Sequence, residues 1–293
     1  MRRTTAFCVL LASICTGLVF GTVLNFDFSH TTPLRISVSG APGAPLSVQA
    51  AGSAFPNAGE VRILTRGTGR LIAERGQLRY RAQAFIYQKG YKPIDRNSEI
   101  VFSGSARKKE LKDLAPAVLG MREGSRVALL RRTDSAVRLE IVIVDILPTV
   151  LRGPWIRPPA GTNLPEITPG KDGIPVSVSG PQQGPYSALT VYQAVKGSGV
   201  QVKPHDTVTA NYLLVNSAGK VLENTWKKSA PAKFKISQAL EGLREAVTDQ
   251  RCGSRIAVGI PAAEAQGKND LTVVIDILGT ESETGRQTGD GKE

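Results

Sequence analysis

The second half of this chain repeats the first at a nearly constant distance. GSRVA at 124–128 returns as GSRIA at 253–257, VDIL at 144–147 returns as IDIL at 275–278, and GTG at 67–69 returns as GSG at 197–199. The spacing between the members of each pair is almost the same in all three cases. Chance matches between short strings would scatter in their spacing, so the pattern predicts two copies of one folding unit.

The apolar pattern predicts strands and one helix in each copy. Apolar residues alternate along 208–214 and along 256–260, which is the period of a half-buried strand. Leu240, Leu243 and Val247 have the spacing of one helix face, and apolar residues at 111, 114 and 118 repeat that spacing in the first copy. We expect an α+β fold in which one short helix covers a sheet face.

Residues 188–280 resemble the FKBP-type peptidyl-prolyl cis-trans isomerase domain. The likeness is carried by glycine turns, a strand tyrosine, a helix start and a closing strand: Gly197-Ser198-Gly199, Tyr212, Gly219-Lys220-Val221-Leu222-Glu223, Leu240-Glu241-Gly242-Leu243, Gly253, Ile260-Pro261, Gly267 and residues 271–278. The resemblance implies an antiparallel sheet wrapped around one short helix. We therefore predict two tandem FKBP-like domains, at 34–150 and 174–280.

The segments outside these domains differ in composition. Residues 151–173 are rich in proline and glycine, which is typical of a semi-rigid linker. Residues 281–293 contain no apolar side chain that could be buried, which predicts a disordered tail.

Residues 1–28 have the pattern of an export leader or membrane anchor. Arg2-Arg3 precedes an uncharged, mostly apolar run at 4–24, long enough to span a bilayer if it stays uncleaved. Three fates remain open: cleavage, an uncleaved anchor, or lipidation at Cys15, because residues 11–15 resemble a bacterial lipobox. Each of them places the globular part outside the cytoplasm, in the cell envelope.

Cysteine and histidine are too few for most catalytic sites. The chain has three cysteines, two of them in the leader, and two histidines, His30 and His205. We expect no cofactor and no metal, since neither a thiolate metal site nor a Ser-His-Asp triad can be assembled. Prolyl isomerisation needs neither, because a shaped pocket of low polarity can favour the twisted transition state.

The resemblance implies a site in the second domain, on residues that match the family's pocket one by one. Tyr212 matches the pocket tyrosine, and Glu223 falls where the family has an aspartate that braces the pocket. The other matched positions carry mostly aliphatic side chains where aromatic ones are usual, and they are Leu222, Ala239, Leu240, Leu243, Gln266 and Val273. Weak activity is expected from such a lining.

Two further aromatic residues are candidates for ligand contact. Trp226 either folds over the mouth of the pocket or is a surface aromatic, and Phe234 lies in the adjoining strand, where its default role is core. In the first domain the position of Tyr212 is Ala82, so we expect no isomerase activity there.

The basic charge is concentrated in the first domain. Residues 61–150 hold 18 Lys and Arg against 9 Asp and Glu, whereas the whole chain has a net charge of +12. This excess indicates either a solvated basic surface or contact with an anionic partner such as lipid or wall polymer. Nucleic acid is excluded as a partner of an exported protein.

These patterns predict an exported peptidyl-prolyl isomerase that assists the folding of unfolded or proline-containing exported proteins. A non-catalytic chaperone or binding module with the same fold is the alternative, and a structural envelope protein is a third. The N-terminal segment would supply the membrane contact. The sequence leaves open whether a macrolide such as FK506 fits the pocket.

Overall fold

The computed structural model describes residues 32–52, 54, 57–88, 95–133, 138–159, 161–170, 172–180, 185–267 and 269–282. The predicted leader with Cys15, and residues 283–293 of the predicted tail, lie outside these residues. Within the described ranges no helix is long and apolar enough to cross a bilayer.

The first half of the chain forms a five-stranded antiparallel sheet and a separate hairpin. Its strands are β1 (Arg35–Ser39), β2 (Ser47–Ala51), β3 (Glu60–Thr65), β4 (Gln77–Gln88), β5 (Asp95–Ser105), β6 (Arg126–Arg132) and β7 (Arg138–Leu147). The sheet order is β3-β6-β7-β4-β5, and β1 pairs with β2. The single predicted helix is broken into α1 (Lys108–Leu111) and α2 (Ala115–Val118), since Pro116 begins a new turn.

The second half repeats this arrangement with one interruption. Its strands are β8 (Glu166–Pro169), β9 (Pro175–Ser179), β10 (Thr190–Val195), β11 (Thr207–Asn216), β12 (Val221–Asn224), β13 (Ala232–Lys235), β14 (Arg255–Ile260) and β15 (Leu271–Glu281). The order β10-β14-β15-β11-β12 corresponds strand by strand to that of the first sheet, and β13 also pairs with β11. The predicted helix is α3 (Glu241–Val247).

The two GxG strings make the same turn in both halves. The Gly67 N–H donates to Ser125 Oγ at 2.9 Å, and the Gly197 N–H donates to Ser254 Oγ at 3.0 Å. A Cβ on Gly197 would lie 2.5 Å from the Cys252 carbonyl oxygen. These strings are strand turns, as predicted, and they need glycine because backbone packs directly against backbone.

Each sheet buries apolar side chains on both faces. The helix side of the second sheet packs against α3, with Val208, Ile256 and Ile275 at its centre. The opposite side, called the outer face here, packs against residues from 151–178, including Trp155 and Ile167. In the first half the β1–β2 hairpin takes the place of that cover.

The predicted linker at 151–173 is therefore corrected by the structure. Leu151 is buried, the Ile156 N–H donates to the Ala194 carbonyl at 2.9 Å, and β8 pairs with β9. The boundary placed between residues 173 and 174 falls inside this hairpin. Proline content indicated an extended spacer, but proline is compatible with an edge strand whose neighbours, such as Ile167, are buried.

Replacing Gly197 with alanine is expected to destabilise the second sheet by at least about 2 kcal/mol, because the new methyl group meets backbone atoms that cannot move aside. Urea unfolding followed by tryptophan fluorescence measures this, since both tryptophans, Trp155 and Trp226, lie on the outer face of that sheet. Gly267→Ala is the control, because its Cβ would make only ordinary contacts at 3.7 Å or more. Equal midpoints for the two variants would contradict this account of the turn.

Candidate functional site

Tyr212 and Glu223 form the polar centre of the candidate site. Tyr212 lies on β11 opposite Ile275 of β15, and Glu223 lies on β12 opposite Leu214. The Tyr212 hydroxyl donates to Glu223 Oε2 at 2.6 Å, and Lys228 Nζ donates to Glu223 Oε1. The structure thus joins these two residues, each predicted separately from the family resemblance, by a hydrogen bond.

The charges around this pair keep the tyrosine neutral and the glutamate ionised. Burial raises the pKa of Tyr212, and the hydrogen bond to Glu223 and the charge of that carboxylate raise it further. The hydrogen bond from Lys228, and then the one from Tyr212, lower the pKa of Glu223. The Tyr212 hydroxyl therefore stays protonated and hydrogen-bonded to Glu223, which fixes the orientation of the phenol ring.

Apolar side chains from three elements adjoin this pair on the helix side of the sheet. Phe234 on β13 and Leu243 on α3 are half-buried and pack against the same apolar cluster as Tyr212. Val273 on β15 belongs to the interior of that cluster and is only 2% exposed. The partly exposed members Tyr212, Phe234 and Leu243 are called the seam here, and Val273 lies in the buried interior of the same cluster.

The start of α3 borders the seam. Ala239 and Leu240 are half-buried, and the Leu240 carbonyl accepts from the Arg244 N–H at 2.8 Å, which makes Leu240 the N-cap residue. Leucine has no side-chain oxygen to cap the first turn. The Gly242 N–H in this first turn donates instead to the Glu264 carbonyl at 3.4 Å, in the loop after β14.

Gly242 sets how closely α3 approaches the sheet. A Cβ at this position would lie 2.6 Å from Ile260 Cγ2 and 3.1 Å from Glu264 Oε2. The helix can therefore sit directly against the end of β14 and the loop that follows it.

Two predicted site residues lie apart from this group. Leu222 is 50% exposed on the edge strand β12, and Gln266 is exposed in the loop after β14 with a φ of 52°. Both can only border the seam from solvent.

Trp226 lies on the outer face, which corrects the idea that it closes the pocket mouth. Its ring packs with the apolar cluster of that face, and the Arg255 guanidinium carbon lies 5.9 Å from the ring centroid. The 3-10 turn at Thr225–Lys227, called the Trp226 turn below, carries the side chain across the sheet edge. Alternation along β12 could not predict this crossing, because the strand ends at Asn224.

Two polar residues, Thr225 and Asn211, form hydrogen bonds that position the backbone of Tyr212, and the sequence analysis missed them. The Tyr212 N–H donates to Thr225 Oγ1 at 2.8 Å, and that hydroxyl donates to Asn211 Oδ1 at 2.9 Å. Asn211 is fully buried. The one available signal was an asparagine inside the otherwise apolar stretch 210–215.

In the first half, the position that corresponds to Tyr212 carries no phenol. Ala82 faces Val144 on β7 just as Tyr212 faces Ile275 on β15. The neighbouring Tyr80 stacks on Phe102, with ring centroids 5.1 Å apart, so aromatic rings fill the interior there.

Comparison with known proteins finds similarity over the segment that holds the candidate site. Residues 199–277 match the family model described as FKBP-type peptidyl-prolyl cis-trans isomerase, a stretch that encloses every predicted site residue of the second half. This segment of the chain is thus similar to the FKBP-type peptidyl-prolyl cis-trans isomerase family.

Individual relatives match the same region. The FKBP-type peptidyl-prolyl cis-trans isomerase FkpA of Escherichia coli K12 is 33% identical over 95 residues, which cover 30% of this chain and 35% of FkpA. The outer membrane protein MIP of Legionella longbeachae is 35% identical over 75 residues, which cover 26% of this chain and 32% of MIP. The chain thus spans about a third of the length of these curated relatives. The crystal structure of Escherichia coli FkpA aligns with 24% identity and a TM-score of 0.31, covering 32% of this chain and 48% of that one.

Tyr212 is expected to remain protonated near pH 10, where an ordinary tyrosine is half ionised. A raised pKa means that its contribution to folding stability is complete below about pH 10 and is lost as the pH rises further. The measurement is a tyrosinate absorbance titration of the unmodified chain minus that of Tyr212→Phe. Glu223→Gln removes the nearby charge and should bring the step to lower pH, whereas a step near pH 10 in the unmodified chain would contradict the assigned bond.

Proposed function

We propose that this chain catalyses cis-trans isomerisation of X-Pro bonds in exported proteins, at the seam around Tyr212 in its second half. The observation that carries the proposal is the Tyr212–Glu223 hydrogen bond beside the partly exposed side chains of Phe234 and Leu243, inside the family-matched segment. The similarity of residues 199–277 to the family supports the reaction class, and the geometry supports the location.

Prolyl isomerisation requires a pocket that binds the twisted amide of the transition state more tightly than the planar amide. An X-Pro bond is held planar by resonance, with a barrier of about 18 to 20 kcal/mol. A twisted amide has a less dipolar carbonyl, so apolar walls such as Phe234 and Leu243 favour it over the solvated planar form. The Tyr212 ring, fixed by Glu223, forms one wall of this pocket.

The lining supports weak catalysis. The family-typical aromatic positions hold Leu222, Leu243 and Val273, and Val273 is buried in the core and unavailable as a pocket rim. Each lost aromatic contact removes on the order of 1 kcal/mol, and about 1.4 kcal/mol corresponds to a tenfold change in rate. A non-catalytic module that binds extended proline-containing segments is the second candidate, favoured by this aliphatic lining.

We further propose that the chain consists of two tandem copies of the FKBP-like fold. The matching strand orders of the two sheets and their matching GxG turns support this view. The first copy, with Ala82 in place of the tyrosine, would carry no isomerase activity. Its basic surface is proposed to contact anionic material.

Export to the cell envelope remains part of the proposal. Its support is the leader-like sequence at residues 1–28 and the similarity to a protein named outer membrane protein MIP. Lipidation at Cys15, an uncleaved anchor and a cleaved leader are distinguished by the mass of the mature N-terminus.

Tyr212→Ala in the full chain should lower kcat/KM for a proline-containing peptide about tenfold, because the pocket loses its ordered aromatic wall. A protease-coupled or NMR exchange assay measures this. Tyr192→Phe is the matched control, since Tyr192 lies on the outer face. No rate above the uncatalysed one in the unmodified chain, together with suppressed aggregation of an unfolded client, would replace the isomerase by the binding module.

Leu222→Phe should raise kcat/KM several-fold by adding an aromatic surface to the border of the seam. Leu222 is half exposed, so the larger ring can be accommodated without repacking the core. Val221→Phe adds the same ring at the neighbouring, similarly exposed residue of the edge strand and should leave the rate unchanged. Equal gains in both variants would indicate a nonspecific hydrophobic effect.

A further inference from the structure

A glutamine from the first half of the chain reaches into the second half, directly behind the proposed site. Gln77 begins β4 and is 3% exposed. Its Nε2 donates to the Thr225 carbonyl at 2.7 Å and to the Lys228 carbonyl at 3.0 Å, with a longer contact of 3.4 Å to Asn211 Oδ1. The two shorter bonds clasp the Trp226 turn at its first residue and at the residue that follows it.

The amide oxygen of Gln77 completes the network. It accepts from Asn211 Nδ2 at 2.7 Å, and Asn211 Nδ2 also donates to the Thr149 carbonyl at 3.0 Å. Asn211 in turn accepts from Thr225, which accepts from the Tyr212 N–H. A continuous set of hydrogen bonds therefore runs from β4 of the first half to the backbone of Tyr212.

The Trp226 turn decides whether the site residues can meet. Glu223 lies just before the turn and Lys228 just after it, and these two side chains form the ion pair that orients the carboxylate toward Tyr212. The turn carbonyls at Thr225 and Lys228 are held by a donor from another part of the chain. Without Gln77 the Lys228 carbonyl would lose this donor and the Thr225 carbonyl would keep only the Lys228 N–H at 3.0 Å, so the turn would shift.

We propose that Gln77 is a positioning residue for the site on the other half of the chain. It holds the Trp226 turn so that Glu223 and Lys228 keep Tyr212 in place. This inference rests on the proposed isomerase function and deepens it. The first half, which lacks the phenol at Ala82, then supports the site of the second half through this side chain.

The proposal assigns the role to an amide donor. An ionised glutamate side chain has nearly the same shape as glutamine but carries two acceptor oxygens and no N–H. It would therefore offer no hydrogen-bond donor to the Thr225 and Lys228 carbonyls. The oxygen that pairs with Asn211 would be retained. Gln77→Glu therefore removes the clasp on the turn and preserves the volume of the side chain.

Arg79 provides the matched control at the same contact between the halves. It lies two residues further along β4 and is 6% exposed, and its Nη1 donates to the Leu278 carbonyl at 2.7 Å and the Pro148 carbonyl at 3.2 Å. The bond to Leu278 joins the halves without involving the Trp226 turn. Arg79→Met thus weakens the same contact at a different point.

The experiment compares the full chain with its Gln77→Glu and Arg79→Met variants by NMR of the tryptophan indole groups and by isomerase assay. We expect Gln77→Glu to shift the Trp226 indole resonance, leave Trp155 in place and lower kcat/KM about three- to tenfold. Arg79→Met should lower the unfolding midpoint without moving the Trp226 resonance or kcat/KM. An unmoved Trp226 resonance in Gln77→Glu, or equal losses of kcat/KM in both variants, overturns the positioning role.

Failure of the proposed function itself gives a separate result. If the unmodified chain shows no isomerase activity, the positioning of Tyr212 is judged by the Trp226 resonance and by the tyrosinate titration. If both the Trp226 resonance and the tyrosinate titration shift in Gln77→Glu, the positioning is supported. If one or both of them stay unchanged, it is overturned.

Discussion

The fold depends on two buried pairs of opposite charge, one at the centre of each sheet. Arg255 on β14 and Asp276 on β15 are essentially unexposed and joined by two hydrogen bonds of 2.5 and 2.7 Å. Burial raises the pKa of Asp276, and the bonds from Arg255 oppose that shift. Removing one partner of such a pair typically costs about 3 to 5 kcal/mol, because the other charge is left buried. The pair therefore fixes the register of the two central strands.

The same pairs attach the segments that cover the outer faces. Asp276 also accepts from the Leu151 N–H at 3.3 Å, and the Arg255 guanidinium carbon lies 5.2 Å from the centroid of the Trp155 ring. In the first half, the carboxylate of the corresponding Arg126–Asp145 pair accepts from the Gly43 N–H at 2.9 Å, in the β1–β2 hairpin. Because the outer faces are occupied in this way, the helix side of the second sheet is where Tyr212 meets solvent, and the proposed chemistry follows from that geometry.

The sequence predicted the strand and the helix that carry two of the site candidates, whose roles rest on the family resemblance. Tyr212 and Leu243 could be placed on these elements because alternation and helical spacing indicate which side chains share a face. Trp226 and Gln266 could not, since each lies in a turn where the period is broken and the chain changes direction. The packing of residues 151–173 against the outer face was missed for a related reason. A composition rich in proline and glycine indicates irregular structure, but it does not show which apolar side chains in the segment are buried.

The internal repeat by itself determined the strand sequence, the GxG turns and the short helices, because each is a local pattern of glycines and apolar side chains. Only the tertiary structure decided what lies behind Tyr212. Gln77 and Asn211 are far apart in the chain and each looks like a solvent-facing polar residue on a strand, yet both are buried against each other. Local sequence cannot reveal such a pair, since burial of a polar group depends on a partner brought from another part of the chain.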